Sequence, residues 1–343
     1  RAVISTRVPG GWARRARVKV SSSSEARIGV LGGAFVLGSA TDPDFWSRLH
    51  LSNTRIELIL LALPNHEEDL QAARELAETG YLHNHARMWF ASIWIFTLRL
   101  PWALGASHFL SHLLDGDPAS NTLSWRWVAG LQTPGKVYAA RAGNIEKYTH
   151  GRFHPRGQLC ERIEPVTAPA APPGRPLPET GRPVDGLRSG LLLTEDDLCI
   201  KGEIFDDISP VAVAGITFAA GRSQWPVSRR VAEFSEQAVI DGLTRAAARY
   251  DLPPGALCHG ETAACISDWC LENNLEQLLV PYVPVGVSQD GMRQVQSELD
   301  RSGIRLVQLR RSLDNRLWPC ATHGFFRFRK AISQLVDSFR KTA

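Results

Sequence analysis

DGDPASNTLSWRW, residues 115–127, combines two aspartates, an asparagine and two tryptophans in one short segment. Asp117 followed by Pro118 predicts a helix start, because aspartate caps free amide groups and proline is tolerated at the first helical position. From there Asp117, Asn121 and Trp125 recur every four residues and share one helix face. A carboxylate, an amide and an indole on one face favour a polar ligand with a broad aromatic surface.

Asp115 lies just before this helix and calls for a cationic partner, because an unpaired carboxylate in an apolar site costs roughly several kcal/mol. Arg87 and Asn84 on a preceding predicted helix are the candidates, and Met88 shares the face of Asn84. Two interpretations stay open from spacing alone. One is a purely structural Arg87–Asp115 ion pair with the amide and indole filling space, and the other is a ligand site.

The composition is that of a globular protein with room for two domains. The chain has 343 residues, of which 44% are hydrophobic and 22% charged, with a formal net charge of +4. This slight positive charge permits nucleic acid as a partner without requiring it. The longest apolar run, MWFASIWIFTL (88–98), suits a buried helix better than a membrane span. We expect a cytoplasmic protein that does not associate with membranes.

Tryptophan is concentrated in a helical block that we place at residues 66–154. Five of the ten tryptophans lie between Trp89 and Trp127. Amphipathic periodicity and end signals such as Gly80 and Pro101 divide the block into helices. The predicted helices span residues 67–79, 83–100, 105–114 and 117 to about 130.

The remaining chain changes character twice. Residues 155–189 hold eight prolines and predict an extended linker. Residues 190–343 alternate short apolar runs with helical patterns, which is typical of a parallel α/β sheet domain. The predicted strands are 190–194, 211–220, 256–260, 276–285 and 304–310, and the predicted helices are 228–250, 261–273, 288–302 and 324–341. Residues 1–65 are an atypical, basic and Ser/Gly-rich segment, which could be disordered or of different origin.

The spacing of the histidine and cysteine residues does not indicate a metal site or a redox-active site. Four histidines could suggest a metal site, but no carboxylate or cysteine completes a set, so we interpret them as packing or surface residues: His83, His85, His108 and His112. The six cysteines lack paired ligand spacing, and we expect buried reduced thiols. The aromatic and basic segment 318–330 could touch a nucleic-acid backbone, but an amphipathic helix is the preferred interpretation.

Two ordered motifs carry a resemblance to a known family. TGYLHNHARMWFAS (79–92) and HFLSHLLDGDPASNTLSWRWVAGLQTP (108–134) together resemble the flavin-binding helical domain of the DNA photolyase/cryptochrome family. The resemblance covers about residues 70–150, the C-terminal half of that domain. The linker and α/β segment resemble a bacterial photolyase-like subgroup. The implied fold is α + α/β, with a partial photolyase-type helical domain followed by a parallel α/β sheet domain.

The resemblance implies roles for individual residues. FAD would be bound by Asn84, Arg87, Asp115, Asp117 and Asn121, with Asn121 against the flavin N5 atom. Trp125 would be the proximal member and Trp102 the middle member of an electron-transfer chain, so electrons would reach the flavin from Trp102 by way of Trp125. Met88 and Trp127 would face a flipped pyrimidine dimer, Trp127 by stacking on it.

The implied activity is light-driven electron transfer from reduced FAD to pyrimidine dimers in DNA, a carbon–carbon lyase reaction. The resemblance implies a monomer without metal, and it leaves a second, antenna chromophore open. Two alternatives remain. The chain could be a cryptochrome-like photoreceptor that binds FAD without repairing DNA, or an inactive fragment that retains only the fold.

Overall fold

The computed structural model describes residues 67–133, 135–168, 175–224, 226–259, 263–321 and 325–340, together with two short strands. These strands, β1 (Ala2–Ile4) and β2 (Ala16–Val18), pair antiparallel, which the sequence did not predict. The other predictions for residues 1–65 lie outside the described residues. The chain divides into two compact units, residues 1–168 with 222–231 and residues 169–221 with 232–343.

Between residues 67 and 154 the first unit is helical, as predicted. Its helices are α1 (Glu67–Thr79), α2 (Asn84–Ser92), α3 (Trp102–His112), α4 (Pro118–Val128) and α5 (Ala142–Tyr148). The sequence did not predict α5, whose seven residues are too few for a clear amphipathic period. α1 ends where predicted, because Gly80 adopts a φ of 72° that favours glycine.

The second predicted helix is shorter than expected. α2 ends at Ser92 and continues as a π-helical turn, Ile93–Thr97, in which the amide of Leu98 donates to the Ile93 carbonyl at 2.9 Å. Arg99 then takes a φ of 54° and Pro101 ends the segment. The prediction of one helix over 83–100 was therefore wrong in its last turns. Apolar side chains alone do not reveal this change of hydrogen-bonding period.

The core of the helical unit is largely aromatic. Trp94 and Phe90 are fully buried, and Phe109 and Trp125 are nearly so. The ring of Trp125 meets Phe109, Trp94 and Phe90 edge-on, with centroids 5.1, 6.3 and 6.4 Å away. Such edge-to-face pairs are favourable for aromatic rings beyond the area they bury. The apolar face of α4 is thus joined to α2 and α3.

The second unit is built on a five-stranded, all-parallel sheet, as predicted. Its strands are β3 (Ser189–Thr194), β4 (Ala212–Thr217), β5 (Ala256–His259), β6 (Gln277–Pro281) and β7 (Arg305–Leu309), in the order β5-β4-β3-β6-β7. Each overlaps an apolar run that the sequence had marked. Central strands of a covered sheet are buried on both faces and are therefore apolar throughout. β3 illustrates this, with all six residues buried.

Helices fill the connections of this sheet. The described helices are α6 (Glu203–Asp206), α7 (Arg229–Tyr250), α8 (Ala264–Glu272), α9 (Val287–Arg301), α10 (Ser312–Leu317) and α11 (Phe325–Arg340). The four long ones agree with the predicted helices, while the short α6 and α10 escaped prediction. No helix in the described ranges combines the length and apolar character needed to cross a membrane.

The expectation of reduced cysteines was wrong for one pair. Cys258 at the end of β5 and Cys265 in the first turn of α8 form a disulfide. The two residues are seven apart across a strand–helix connection, so a local ligand motif does not mark them. Cys160, Cys199, Cys270 and Cys320 are free thiols, and burial raises the pKa of Cys270 to about 12.

A close approach of α3 and α4 gives a stability prediction. A Cβ atom at Gly105 on α3 would overlap the indole of Trp125 on α4. We expect Gly105→Ala to lower the free energy of unfolding by about 1–3 kcal/mol, because overpacking displaces buried groups. Denaturant unfolding followed by near-ultraviolet circular dichroism measures this.

The matched control for Gly105→Ala is Gly143→Ala. Gly143 lies in α5, and an added Cβ there meets no atom within 4 Å. This control should keep or slightly raise stability, since alanine is the better helix former. Equal effects of the two changes would contradict the packing argument.

Candidate functional site

Nearly all the residues that the sequence selected line one pocket in the helical unit. The pocket has a volume of about 250 Å³ and lies between α2, α4 and the end of α3. Its walls are partly aromatic and partly polar. Of the predicted site residues it contains Asn84, Arg87, Met88, Asp115, Asp117, Asn121, Trp125 and Trp127, but not Trp102.

An ion pair forms one polar edge of the pocket. The Nη2 atom of Arg87 donates to both carboxylate oxygens of Asp115, at 3.1 and 3.0 Å. The Nε atom of Arg87 donates to the Leu82 carbonyl at 2.8 Å, which fixes the guanidinium from behind. Arg87 is partly buried and Asp115 is more exposed. The pair is therefore oriented by a second contact, although solvent weakens its Coulomb attraction.

The helix start at Asp117 forms a second edge. Asp117 is the N-cap of α4, and its Oδ1 accepts from the amide of Ser120 at 2.5 Å. Pro118 occupies the first helical position, as the sequence predicted. The cap uses one carboxylate oxygen of Asp117, so the side chain is oriented at the pocket wall by the local backbone.

Asn121 presents a defined group to the pocket. Its Nδ2 atom donates to the carbonyl of Ala106 on α3 at 2.7 Å, a bond that only the amide nitrogen can make. The amide orientation follows from this bond, and the Oδ1 atom remains as an acceptor on a residue that lines the pocket. On α2, Asn84 and Met88 share a face as predicted, with Nδ2 and Sδ 3.8 Å apart.

The two tryptophans of α4 line the same pocket at different positions. Trp125 is buried and forms its inner wall, whereas Trp127 is 40% exposed and lies at its rim. Helical spacing alone does not place them together, since residues two apart do not face each other. The position of Trp127 at the last turn of α4 brings it to the pocket rim.

Trp94 is a residue that sequence reasoning left without a role. Its indole is the tryptophan ring in contact with Trp125 within the described part of the chain, and its Nε1 donates to the Pro101 carbonyl at 2.9 Å. Trp102, predicted as the next electron carrier, is half-buried with the Arg126 guanidinium 5.8 Å from its ring centre. Trp94 lies in a run of apolar residues, so its sequence context signals only burial.

The α/β unit offers a different type of crevice. Its strand order places a topological switch beside β3, where ligands of open parallel sheets commonly bind. There the ring of Phe218 packs directly on Gly291 of α9, and Asp290 lies in the first turn of that helix. An acid at a helix start disfavours a phosphate group. These residues give no positive sign of an antenna chromophore.

Two histidines of α3 form a buried pair. His108 and His112 lie one turn apart with ring centroids 4.4 Å apart, and His108 is fully buried. Burial, with a smaller effect of His112, lowers the pKa of His108 well below its ordinary value. Among the described residues, no group of three or more histidine, cysteine or acidic side chains is arranged to hold a metal ion.

Comparisons with known proteins select the same segment. Residues 71–165 match the family model for the FAD binding domain of DNA photolyase. A deoxyribodipyrimidine photo-lyase from Streptomyces griseus is 53% identical over 62 residues, 18% of this chain and 14% of that protein. Cryptochrome DASH from Idiomarina loihiensis is 35% identical over 89 residues, 26% of this chain and 19% of that protein.

A plant relative extends the match. Cryptochrome-1 from Arabidopsis thaliana is 33% identical over 150 residues, 43% of this chain and 20% of that protein. The matched region thus spans a fifth or less of the length of these three curated relatives. No solved structure matches the chain.

The buried histidine predicts a pH dependence of stability. The folded state holds His108 neutral, whereas the unfolded chain binds a proton near its ordinary pKa of about 6.5. Titration of His108 therefore leaves the unfolding free energy unchanged above that pH and lowers it as the pH falls below that value. Below about pH 6.5, the unfolding free energy should decrease with falling pH in the original protein more steeply than in His108→Leu. The two slopes should differ by up to about 1.4 kcal/mol per pH unit. Denaturant titrations at several pH values measure both slopes, and equal slopes would contradict the prediction.

Proposed function

We propose that the helical pocket binds FAD and supports light-driven repair of pyrimidine dimers in DNA. The chain belongs to the DNA photolyase/cryptochrome family through residues 71–165. The observation that supports this most is the assembly of one pocket from predicted flavin and lesion residues. An ion pair, an oriented amide and two indoles meet there, although they come from separate parts of the sequence.

The residues present fit the ring end of FAD. The Oδ1 of Asn121 can accept a hydrogen bond from the N5–H group of a reduced flavin, since the bond from Nδ2 to the Ala106 carbonyl sets the orientation of the amide. Arg87 can offset negative charge near the flavin ring, while Asp115 holds the guanidinium in place. Phe109 and Trp125 supply an apolar wall for the flat ring.

The described pocket corresponds to part of an FAD site. Its volume of about 250 Å³ lies below the roughly 300–1,000 Å³ that is usual for ligand cavities. FAD is large, so the isoalloxazine ring is the portion that this pocket suits. Asp117 at the N-cap of α4 can accept hydrogen bonds from the sugar side of the cofactor.

Substrate recognition falls to the pocket rim in this proposal. When bound, reduced FAD would supply the light-driven electron transfer that opens the cyclobutane ring of the dimer. The chain holds the lesion for this reaction. Trp127 offers an exposed indole for stacking, and Met88 and Asn84 border the same opening. In this proposal the buried Trp125 passes electrons to an oxidised flavin, and Trp102 is the next donor that the resemblance implies.

A second candidate function is a photoreceptor that binds FAD without repair. It is favoured by the cryptochrome-1 alignment, which covers more of this chain than the photo-lyase alignment from Streptomyces griseus. The same pocket would then carry out flavin photoreduction through Trp125. DNA containing a dimer separates the two candidates, because only repair consumes the lesion.

The first prediction for the pocket concerns FAD affinity. Replacing Arg87 by Met removes the guanidinium and leaves Asp115 without its partner. We expect FAD to bind about tenfold more weakly, a change of about 1.4 kcal/mol in binding free energy.

Quenching of flavin fluorescence during titration measures the dissociation constant. Arg152→Met is the matched control, because Arg152 is exposed and does not line the pocket. Similar FAD affinities for the original chain, Arg87→Met and Arg152→Met would contradict the assignment of this pocket as the FAD site.

The second prediction concerns repair. Under light and with FAD reduced, we expect the chain to remove dimers from an irradiated oligonucleotide, and Trp127→Ala to abolish this loss. Trp125→Phe should suppress photoreduction of oxidised FAD while leaving dimer loss by chemically reduced FAD. Chromatography of the oligonucleotide and flavin absorbance measure the two outcomes. Photoreduction without dimer loss would support the photoreceptor, and full repair by Trp127→Ala would remove the stacking role.

A further inference from the structure

Behind the exposed tryptophan of the pocket lies a tyrosine that belongs to no predicted site. Tyr138 stacks on Trp127 with ring centroids 5.5 Å apart and planes inclined by 28°. Trp127 lines the pocket, whereas Tyr138 does not. The tyrosine ring thus stacks on an indole that lines the pocket, while it is not itself part of the pocket lining.

The fold fixes Tyr138 through several contacts. Its amide donates to the Val128 carbonyl at 3.2 Å, and its hydroxyl accepts from Nδ2 of Asn144 at 3.3 Å. Two residues further on, the amide of Ala140 donates to Oγ of Ser92 on α2 at 2.8 Å. The tyrosine is thus held through its own backbone, its ring hydroxyl and the adjacent segment.

A tight chain reversal brings this segment behind α4. Gly130 follows the helix with a φ of 78°, a conformation that favours glycine. A Cβ atom there would also lie 2.7 Å from Cγ1 of Val137, the neighbour of Tyr138. The reversal therefore places residues 137–140 close against the end of the helix that carries Trp127.

We propose that Tyr138 is a positioning residue that holds the Trp127 indole with one face free, so that a flipped dimer stacks on that face alone. This inference rests on the proposed repair function and adds a residue to its lesion-recognition site. An exposed tryptophan without such support would sample several rotamers and would lose that freedom on binding. A ring held in place beforehand avoids this entropic cost.

The first experiment examines the free protein without DNA. Acrylamide quenching of the fluorescence that depends on Trp127, obtained as the difference from Trp127→Phe, reports the accessibility of the indole. Tyr138→Ala should raise the quenching constant, because it uncovers the second indole face. Tyr138→Phe should leave it near the original value, since the stacked ring remains. An unchanged quenching constant in Tyr138→Ala would overturn the inference.

The second experiment measures DNA binding in the dark, with an oligonucleotide that contains a single pyrimidine dimer and its undamaged counterpart. Tyr138→Ala should lower the ratio of the two affinities about fivefold, and Tyr138→Phe should restore it. The matched control is Tyr148→Ala, which removes a tyrosine stacked on His85 with centroids 3.9 Å apart, outside the pocket lining. This control should leave the ratio unchanged.

A double-mutant comparison shows whether Tyr138 acts through Trp127. In a Trp127→Ala background, Tyr138→Ala should cause no further loss of discrimination, because the ring that it positions is gone. An equal loss in both backgrounds would overturn the positioning role, as would full discrimination by Tyr138→Ala alone. An original chain that binds damaged and undamaged DNA equally would overturn the proposed function and, with it, the lesion role of Tyr138. The quenching result would remain as a separate statement about the indole.

Discussion

The close approach of α3 to α4 at Gly105 determines the geometry of the candidate site. Glycine lacks a side chain, so the Trp125 indole can lie directly on the α3 backbone, where it meets Phe109 and Trp94 edge-on. One turn back along α4, the same proximity lets Asn121 donate to the Ala106 carbonyl. The packing contact and the orientation of a polar pocket group are therefore consequences of one helix crossing. A larger residue at position 105 would disturb both.

Three polar side chains of the pocket are each fixed by a backbone contact. The Leu82 carbonyl holds the Arg87 guanidinium, the Ser120 amide holds the Asp117 carboxylate, and the Ala106 carbonyl holds the Asn121 amide. Groups oriented in advance lose little conformational freedom when a ligand binds. The partly exposed Arg87–Asp115 pair therefore matters more for the placement of charge than for stability, because solvent screens it.

Sequence reasoning succeeded where local chemistry is sufficient. The Asp117-Pro118 start, the Gly80 end and the five apolar strands follow from rules that act within a few residues, and all appear in the structure. Repeated spacing also brought Asn84 together with Met88. The assembly of the pocket was anticipated only through the family resemblance, because spacing left the structural ion pair open. The π-helical turn at Ile93–Thr97, the disulfide of Cys258 and the place of Tyr138 depend on tertiary contacts that no local pattern encodes.

In both units, large side chains pack directly on the backbone of glycine residues. This packing helps to explain why glycines occur in the α/β sheet. Gly190 in β3 and Gly215 in β4 receive the side chains of Leu275 and Val239, and Gly291 on α9 receives the ring of Phe218. Glycines near strand ends of a parallel sheet can instead mark the close approach of a phosphate to the backbone. Here the neighbouring atoms belong to apolar side chains, and the first turn of α9 carries Asp290. The same residue type thus indicates internal packing in this sheet, whereas on α3 it supports the wall of the candidate flavin pocket.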